Sequence, residues 1–204
     1  MENNMTYQQL KQLVESKGFV FFDKGNYNLN FIWLRHDMIA DNHFTDVLYI
    51  AYKVNGLEKV LTVQCTTLPG LRGSLYNPNT VRGITGTAVI QTGQYRGAWK
   101  FIDSYTKFSK YPFFMQIKPL RYWRDGNKDN VIDEVNPETA INGTHWHKMS
   151  NLGDKRKIEK FEVNNWSQGC MGCPISEWDK VIEVTREAIQ AGQSGIFTGT
   201  IVRV

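Results

Sequence analysis

The sequence predicts a mostly β domain of the α+β class, with one helix near each end. Three observations predict it. The middle of the chain is a series of short apolar or alternating runs rich in β-formers, punctuated by Gly, Pro and Asn-Gly. Apolar residues fall at helical spacing near both termini. Aromatic residues make up 13% of the 204, a proportion that favours strands over helices. A chain of this length is expected to form one domain and can bury a core without staples. Residues 1–29 are read as an N-terminal helix and lead-in, and 30–204 as the body of that domain.

The first helix is expected from Thr6 to Gly18. Leu10, Leu13 and Val14 share a face, and Gly18 stands where a C-terminal cap belongs. Strands are expected at Phe19–Phe22, Asn30–Arg35, Val47–Val54 and Lys59–Cys65, with Asn55-Gly56 as a hairpin turn. A glycine-rich stretch from Pro69 to Gly97 predicts short strands and loops. Phe113–Ile117 and Leu120–Trp123 are further strands, bounded by Pro112 and Pro119. The second helix is expected from Ser176 to Ala191. Ser176 and Asp179 have the spacing of a capping box, and Trp178, Val181, Ile182, Thr185 and Ile189 form its apolar face. Gly192 and Gly195 end it, and Ile196–Val204 reads as a closing strand.

Composition removes several classes. With 41% apolar and 22% charged residues the chain has globular usage, which excludes global disorder. Three cysteines do not make a disulfide scaffold. A net charge of +4 gives no ground for a nucleic-acid partner. The longest apolar run, Val47–Tyr52, is too short to span a bilayer, so no membrane insertion is expected. Met1–Met5 lacks the basic and apolar regions of a signal peptide, so the protein, made in the cytoplasm, is expected either to work there or to be delivered by something other than a signal peptide.

Three groups of residues could carry chemistry. The first is Gly143-Thr-His145-Trp-His147 followed by Ser167-Gln-Gly169-Cys170. An imidazole that takes a thiol proton creates a thiolate able to attack a carbonyl. In a strand His145 and His147 share a face, so either could reach the cysteine. Gly169 suits close approach of backbone to a ligand, and the amides of Gly169 and Cys170 are candidate oxyanion donors. The competing reading is a small buried Cys170 with incidental histidines.

The second group is Cys170-Met-Gly-Cys173, a redox or zinc half-motif, which with His145 and His147 would complete a Cys2His2 set. The third is the run Asp125-Gly-Asn127-Lys-Asp129-Asn-Val131-Ile-Asp133. It places Asp125, Asn127, Asp129, the Val131 carbonyl and Asp133 at the alternating positions of a calcium loop. Position 12 is Asn136, where an EF-hand has Glu, and a plain Asx-rich turn is the competing reading.

The His147 and Ser167-Gln-Gly169-Cys170 segments resemble the signature of the L,D-transpeptidase (YkuD-type) catalytic domain. The resemblance is to a divergent, phage-associated branch. In that family a catalytic His on a short strand precedes a Ser/Thr-His-Gly-Cys motif that holds the nucleophile. Ser167, Gly169 and Cys170 match it, as does the order of His before Cys. Gln168 stands where the family has a second His, and Met171-Gly172 where it has an Arg; Arg121, Arg124 or Lys148 could supply that charge.

The resemblance implies an L,D-transpeptidase-like β-sandwich acting on peptidoglycan stem peptides. Cys170 would be the nucleophile, His147 the base and then the acid, and Ser167 would order the loop or the substrate. His145 is the second-choice base. No cofactor is required for the chemistry, and Ca2+ is the expected structural ion. Transpeptidation and hydrolysis are both open. Without a signal peptide, the family implies a virion-associated protein, with other virion proteins as partners, or one released at lysis. Two alternatives stay open: a non-catalytic phage structural or wall-binding protein, and a zinc-stabilised binding domain.

Overall fold

A computed structural model of the chain describes residues 4–70, 86–103, 111–127, 129–135, 137–149, 162–163, 167 and 169–204. Helix α1 spans Tyr7–Ser16. Thr6 caps it reciprocally: its hydroxyl accepts the Gln9 N–H, and the Gln9 side chain accepts the Thr6 N–H at 2.8 Å. Tyr7, Leu10 and Val14 are its buried face, and Gly18 takes a left-handed φ of 75° just past the end, as expected.

The strands are β1 (Asn30–Arg35), β2 (Asp46–Val54), β3 (Leu57–Cys65), β4 (Thr87–Ile90), β5 (Gly93–Ile102), β6 (Phe113–Gln116), β7 (Leu120–Asp125), β8 (Glu138–Ala140), β9 (Trp146–Lys148), β10 (Met171–Cys173) and β11 (Ile196–Arg203). Asn55 and Gly56, both at positive φ, form the two-residue turn between β2 and β3 and set Val54 opposite Leu57.

Two expectations are corrected. Phe19–Phe22 is not a strand. The Asn30 carboxamide takes both main-chain groups of Phe22, accepting its N–H at 2.7 Å and donating to its carbonyl at 2.8 Å, so a side chain does the work of a partner strand. Helix α2 runs from Ile175 to Gln190, and its N-cap is Pro174, not Ser176. The Pro174 carbonyl accepts the first helical bonds, from Glu177 and Trp178, and no side chain caps the helix. Trp178, Val181, Ile182 and Thr185 are buried as read, joined by Val184 and Ala188, while Ile189 lies at the exposed margin.

Eight strands form one sheet in the order β10-β9-β6-β5-β11-β1-β2-β3, with β1/β11 and β9/β10 parallel and the other pairs antiparallel. Its two ends meet. Thr66, the residue after β3, exchanges both main-chain hydrogen bonds with Gly172 of β10, at 2.8 and 3.0 Å. The sheet is therefore rolled onto itself.

Alternation along the strands then gives each one an inner and an outer face. The inner faces supply a single core that includes Phe31, Trp33, Leu48, Ile50, Trp99, Phe114, Trp146 and Phe197. Helix α2 enters that core through Trp178 and Val181, and a second, three-stranded sheet (β4-β7-β8) enters it through Ile90, Leu120 and Tyr122. The outer residues Ile32, Leu34, Tyr49 and Val202 pack against α1. The described residues are mostly β, with one helix near each end, and α1 is integral to the packing.

Candidate active site

The site lies where the rolled sheet closes. In the parallel β9/β10 pair, Met171 faces Trp146, Gly172 faces His147 and Cys173 faces Lys148. Trp146, Met171 and Cys173 belong to the inner core. By alternation, His145, His147, Cys170 and Gly172 lie on the outer side, where Cys170 packs against a small cluster of Phe44, Met149 and Val163. The structure thus brings Cys170, His145 and His147 to one face and puts Cys173 on the other.

The C-x-x-C pair is split by its own strand. Cys173 cannot join Cys170 and the histidines in one ligand set, and the two cysteines cannot act as a vicinal dithiol. Among the described residues no group of three or more His, Cys, Asp or Glu is disposed to hold a metal ion.

Glycine is required at two positions here. At Gly172 a Cβ would sit 2.2 Å from Met149 Cε and 2.6 Å from the His147 carbonyl. At Gly169, with φ of 118°, it would sit 2.7 Å from the Ala88 carbonyl. Ser167, fully buried, ties the approach to the cysteine: its hydroxyl donates to the Cys170 carbonyl at 2.6 Å and accepts the Gly169 N–H at 3.2 Å. The Gly169 amide, expected as an oxyanion donor, is instead engaged by Ser167, because the turn closes on its own backbone.

The two imidazoles are in different states. His147 Nδ1 lies 2.7 Å from the Lys148 carbonyl, which can only accept, so Nδ1 carries the proton and Nε2 presents a lone pair. His145 Nδ1 accepts the Gln116 main-chain N–H at 3.2 Å, so in the neutral ring the proton is on Nε2. His147 is the acceptor and His145 the donor. Burial lowers the pKa of both rings, and for His145 the neighbouring His147 adds to the effect.

Burial raises the Cys170 pKa, partly offset by the His145 main-chain N–H. The thiol donates to the Gly143 carbonyl at 3.6 Å. These shifts favour a thiol and neutral imidazoles over an ion pair.

Sequence reasoning missed the residue that fixes this arrangement. Gln116 is buried; besides its N–H to His145, its side-chain oxygen accepts the Thr144 N–H at 2.8 Å and the Tyr122 hydroxyl at 3.2 Å. Trp99 Nε1 holds the Thr144 carbonyl at 3.1 Å. Together they clamp the Gly143–His145 segment. A glutamine at the end of a strand has no periodicity of its own, so no sequence signal marks it.

The cations suggested as stand-ins are placed elsewhere. Arg124 is buried in an ion pair with Glu138 at 2.6 Å and donates to the Gly86 carbonyl. Lys148 is buried on the opposite face of β9 with Nζ over the Tyr111 ring. Arg121 bonds the Thr92 carbonyl at 3.4 Å.

In the acidic loop, Asn127 and Asp129 bond each other, the Asn130 N–H donates to Asp125 and the Val131 N–H to Asp129. Asp125, Asp129 and Asp133 are not gathered into a metal group. Asn127, Asp125 and Asp129 each accept a main-chain N–H of their own loop, the bonds of an Asx-rich turn. Asn136 and Gln168 lie outside the described residues.

Comparison of the chain with protein-family models, curated proteins and solved structures finds no match in any of the three.

Proposed function

We propose that the protein is a cysteine enzyme that transfers or hydrolyses acyl groups of peptidoglycan stem peptides, with Cys170 as nucleophile and His147 as base. The observation that carries this reading is the hydrogen bond from His147 Nδ1 to the Lys148 carbonyl. It leaves Nε2 as a proton acceptor on the face that holds a part-exposed cysteine.

In the reaction, the Cys170 thiol turns from the Gly143 carbonyl and passes its proton to His147 Nε2. The sulfur attacks the substrate carbonyl, and the Cys170 N–H and His145 Nε2–H donate to the oxygen as it gains charge. His147 returns its proton to the leaving amine. An amine or a water then resolves the acyl-enzyme. The peptidoglycan substrate, the L,D-transpeptidase type of sandwich and a phage origin rest on the Ser167-x-Gly169-Cys170 signature and its order after His147.

Incubation with muropeptides tests the reading. Cys170→Ala and His147→Ala are expected to abolish product, and Cys173→Ala, where it folds, to retain it. No turnover by the native protein overturns the proposal. The Gly143-bound thiol favours a second reading, an inert fold that binds cell wall. That reading expects Cys170 to resist iodoacetamide in the folded protein.

A further inference from the structure

The exchange between Thr66 and Gly172 fixes more than the closure of the sheet. It is an antiparallel pair making both hydrogen bonds, so the residue before Thr66 stands opposite the residue after Gly172. Those residues are Cys65 and Cys173. They occupy a non-hydrogen-bonded site, where opposed Cα atoms lie about 4.5 Å apart and Cβ atoms about 4.5–5.5 Å apart. A disulfide spans Cα separations of about 4.4–6.8 Å and Cβ separations of about 3.5–4.5 Å, so a small adjustment brings the sulfurs to bonding distance. Both side chains are fully buried in the inner core, on one face of the seam, and both cysteines are free thiols. Cys170 points to the other side of β10 and cannot compete without inverting the strand.

We propose that Cys65 and Cys173 are a cross-strand disulfide site that staples the seam between β3 and β10 under oxidising conditions, with glutathione disulfide as the oxidant. The thiolate of one cysteine displaces one glutathione thiolate, forming a mixed disulfide. The second cysteine displaces the other glutathione, forming the Cys65–Cys173 bond. Two thiol hydrogens leave as protons, two electrons pass to the oxidant, and two glutathione thiols are released. Burial raises the pKa of both thiols, so the exchange goes through opened forms of the seam, which an isolated main-chain pair holds. The site is independent of the acyl-transfer reading and leaves Cys170 reduced.

The test uses the native protein and the Cys170→Ala variant. Each is held with glutathione disulfide, in parallel with a sample refolded from denaturant in the same buffer. Remaining thiols are alkylated and the protein is digested without reduction. The expected result is a linked pair of peptides containing Cys65 and Cys173, with Cys170 alkylated in the native chain. A melting temperature above that of the reduced protein, reversed by dithiothreitol, is expected with it. Linkage in the refolded sample alone also supports the site. Recovery of Cys65 and Cys173 as alkylated thiols in both samples, or linkage of either to Cys170, overturns it.

Discussion

His147 donates its Nδ1 proton to the carbonyl oxygen of the next residue, Lys148, at 2.7 Å. The bond ties the tautomer of the ring to the backbone of β9, and it opposes the burial that lowers the ring's pKa. Burial wins, so the folded pKa lies below the ordinary 6.5. His145 shifts in the same direction. The unfolded chain therefore binds more protons than the folded one between the depressed and ordinary values, and stability rises with pH across that window. The melting temperature is expected to be level above about pH 7 and to fall as pH drops below about 6.5. His147→Gln should flatten part of that fall. On the proposed function, in which the neutral ring is the base, the acid limb of kcat/KM on muropeptides is expected to have its midpoint below 6.5.

Gly172 faces His147 across the strand pair, with Met149 packed above it. Gly172→Ala is expected to cost about 1–3 kcal/mol in chemical denaturation, the range for inserting a methyl into filled space. Adding Met149→Ala removes two of the three close contacts but not the His147 carbonyl, so the double variant should recover part of the loss. Full recovery would show that the main-chain contact carries no weight.

Ser167→Ala leaves the Gly169 N–H and the Cys170 carbonyl without the bonds that shape the turn. A loss of about 1–3 kcal/mol is expected. Because the turn carries Cys170, the rate of its alkylation by iodoacetamide should change as well, measured under native conditions. An unchanged rate would separate the turn from the placement of the sulfur.

Arg124 and Glu138 form a buried pair between β7 and β8, and Glu138 also accepts from Asn142 at 3.1 Å, at the foot of the segment that leads to His145. Arg124→Met strands a buried carboxylate and is expected to destabilise by about 3–5 kcal/mol. Arg124→Met with Glu138→Leu removes both charges and should restore most of it. Equal losses in the single and double variants would mean that packing, not charge, sets the cost.

Much of the scaffold is legible locally. The Thr6–Gln9 capping box, the Asn55-Gly56 turn and the apolar faces of both helices depend on residues within a few positions of one another. The strands β8 and β10, three residues each, are too short to show a period of two. Phe19–Phe22 shows the opposite failure. Its composition is that of a strand, but the side chains of Gln94 and Asn30 take the main-chain groups of Val20 and Phe22, and a side chain partner leaves no mark in a local pattern.

For the site, the residue types and order of His145, His147, Ser167, Gly169 and Cys170 were available from the sequence, because nucleophile chemistry needs a thiol and an imidazole wherever they fall. The sequence alone also determined a mostly β domain with two amphipathic helices, since periodicity and turn chemistry act over short range. The tertiary structure decided the placement of these residues and the tautomers of the rings. Pairing of β9 with β10 put Cys170 on the face of the histidines and turned Cys173 away, and Gln116, remote in sequence, assigned the tautomer of His145. The bond between Thr66 and Gly172 closed the sheet and set Cys65 against Cys173. Such pairings join residues far apart along the chain, and their energy comes from the register of strands packed on a shared core, which no local window of sequence contains.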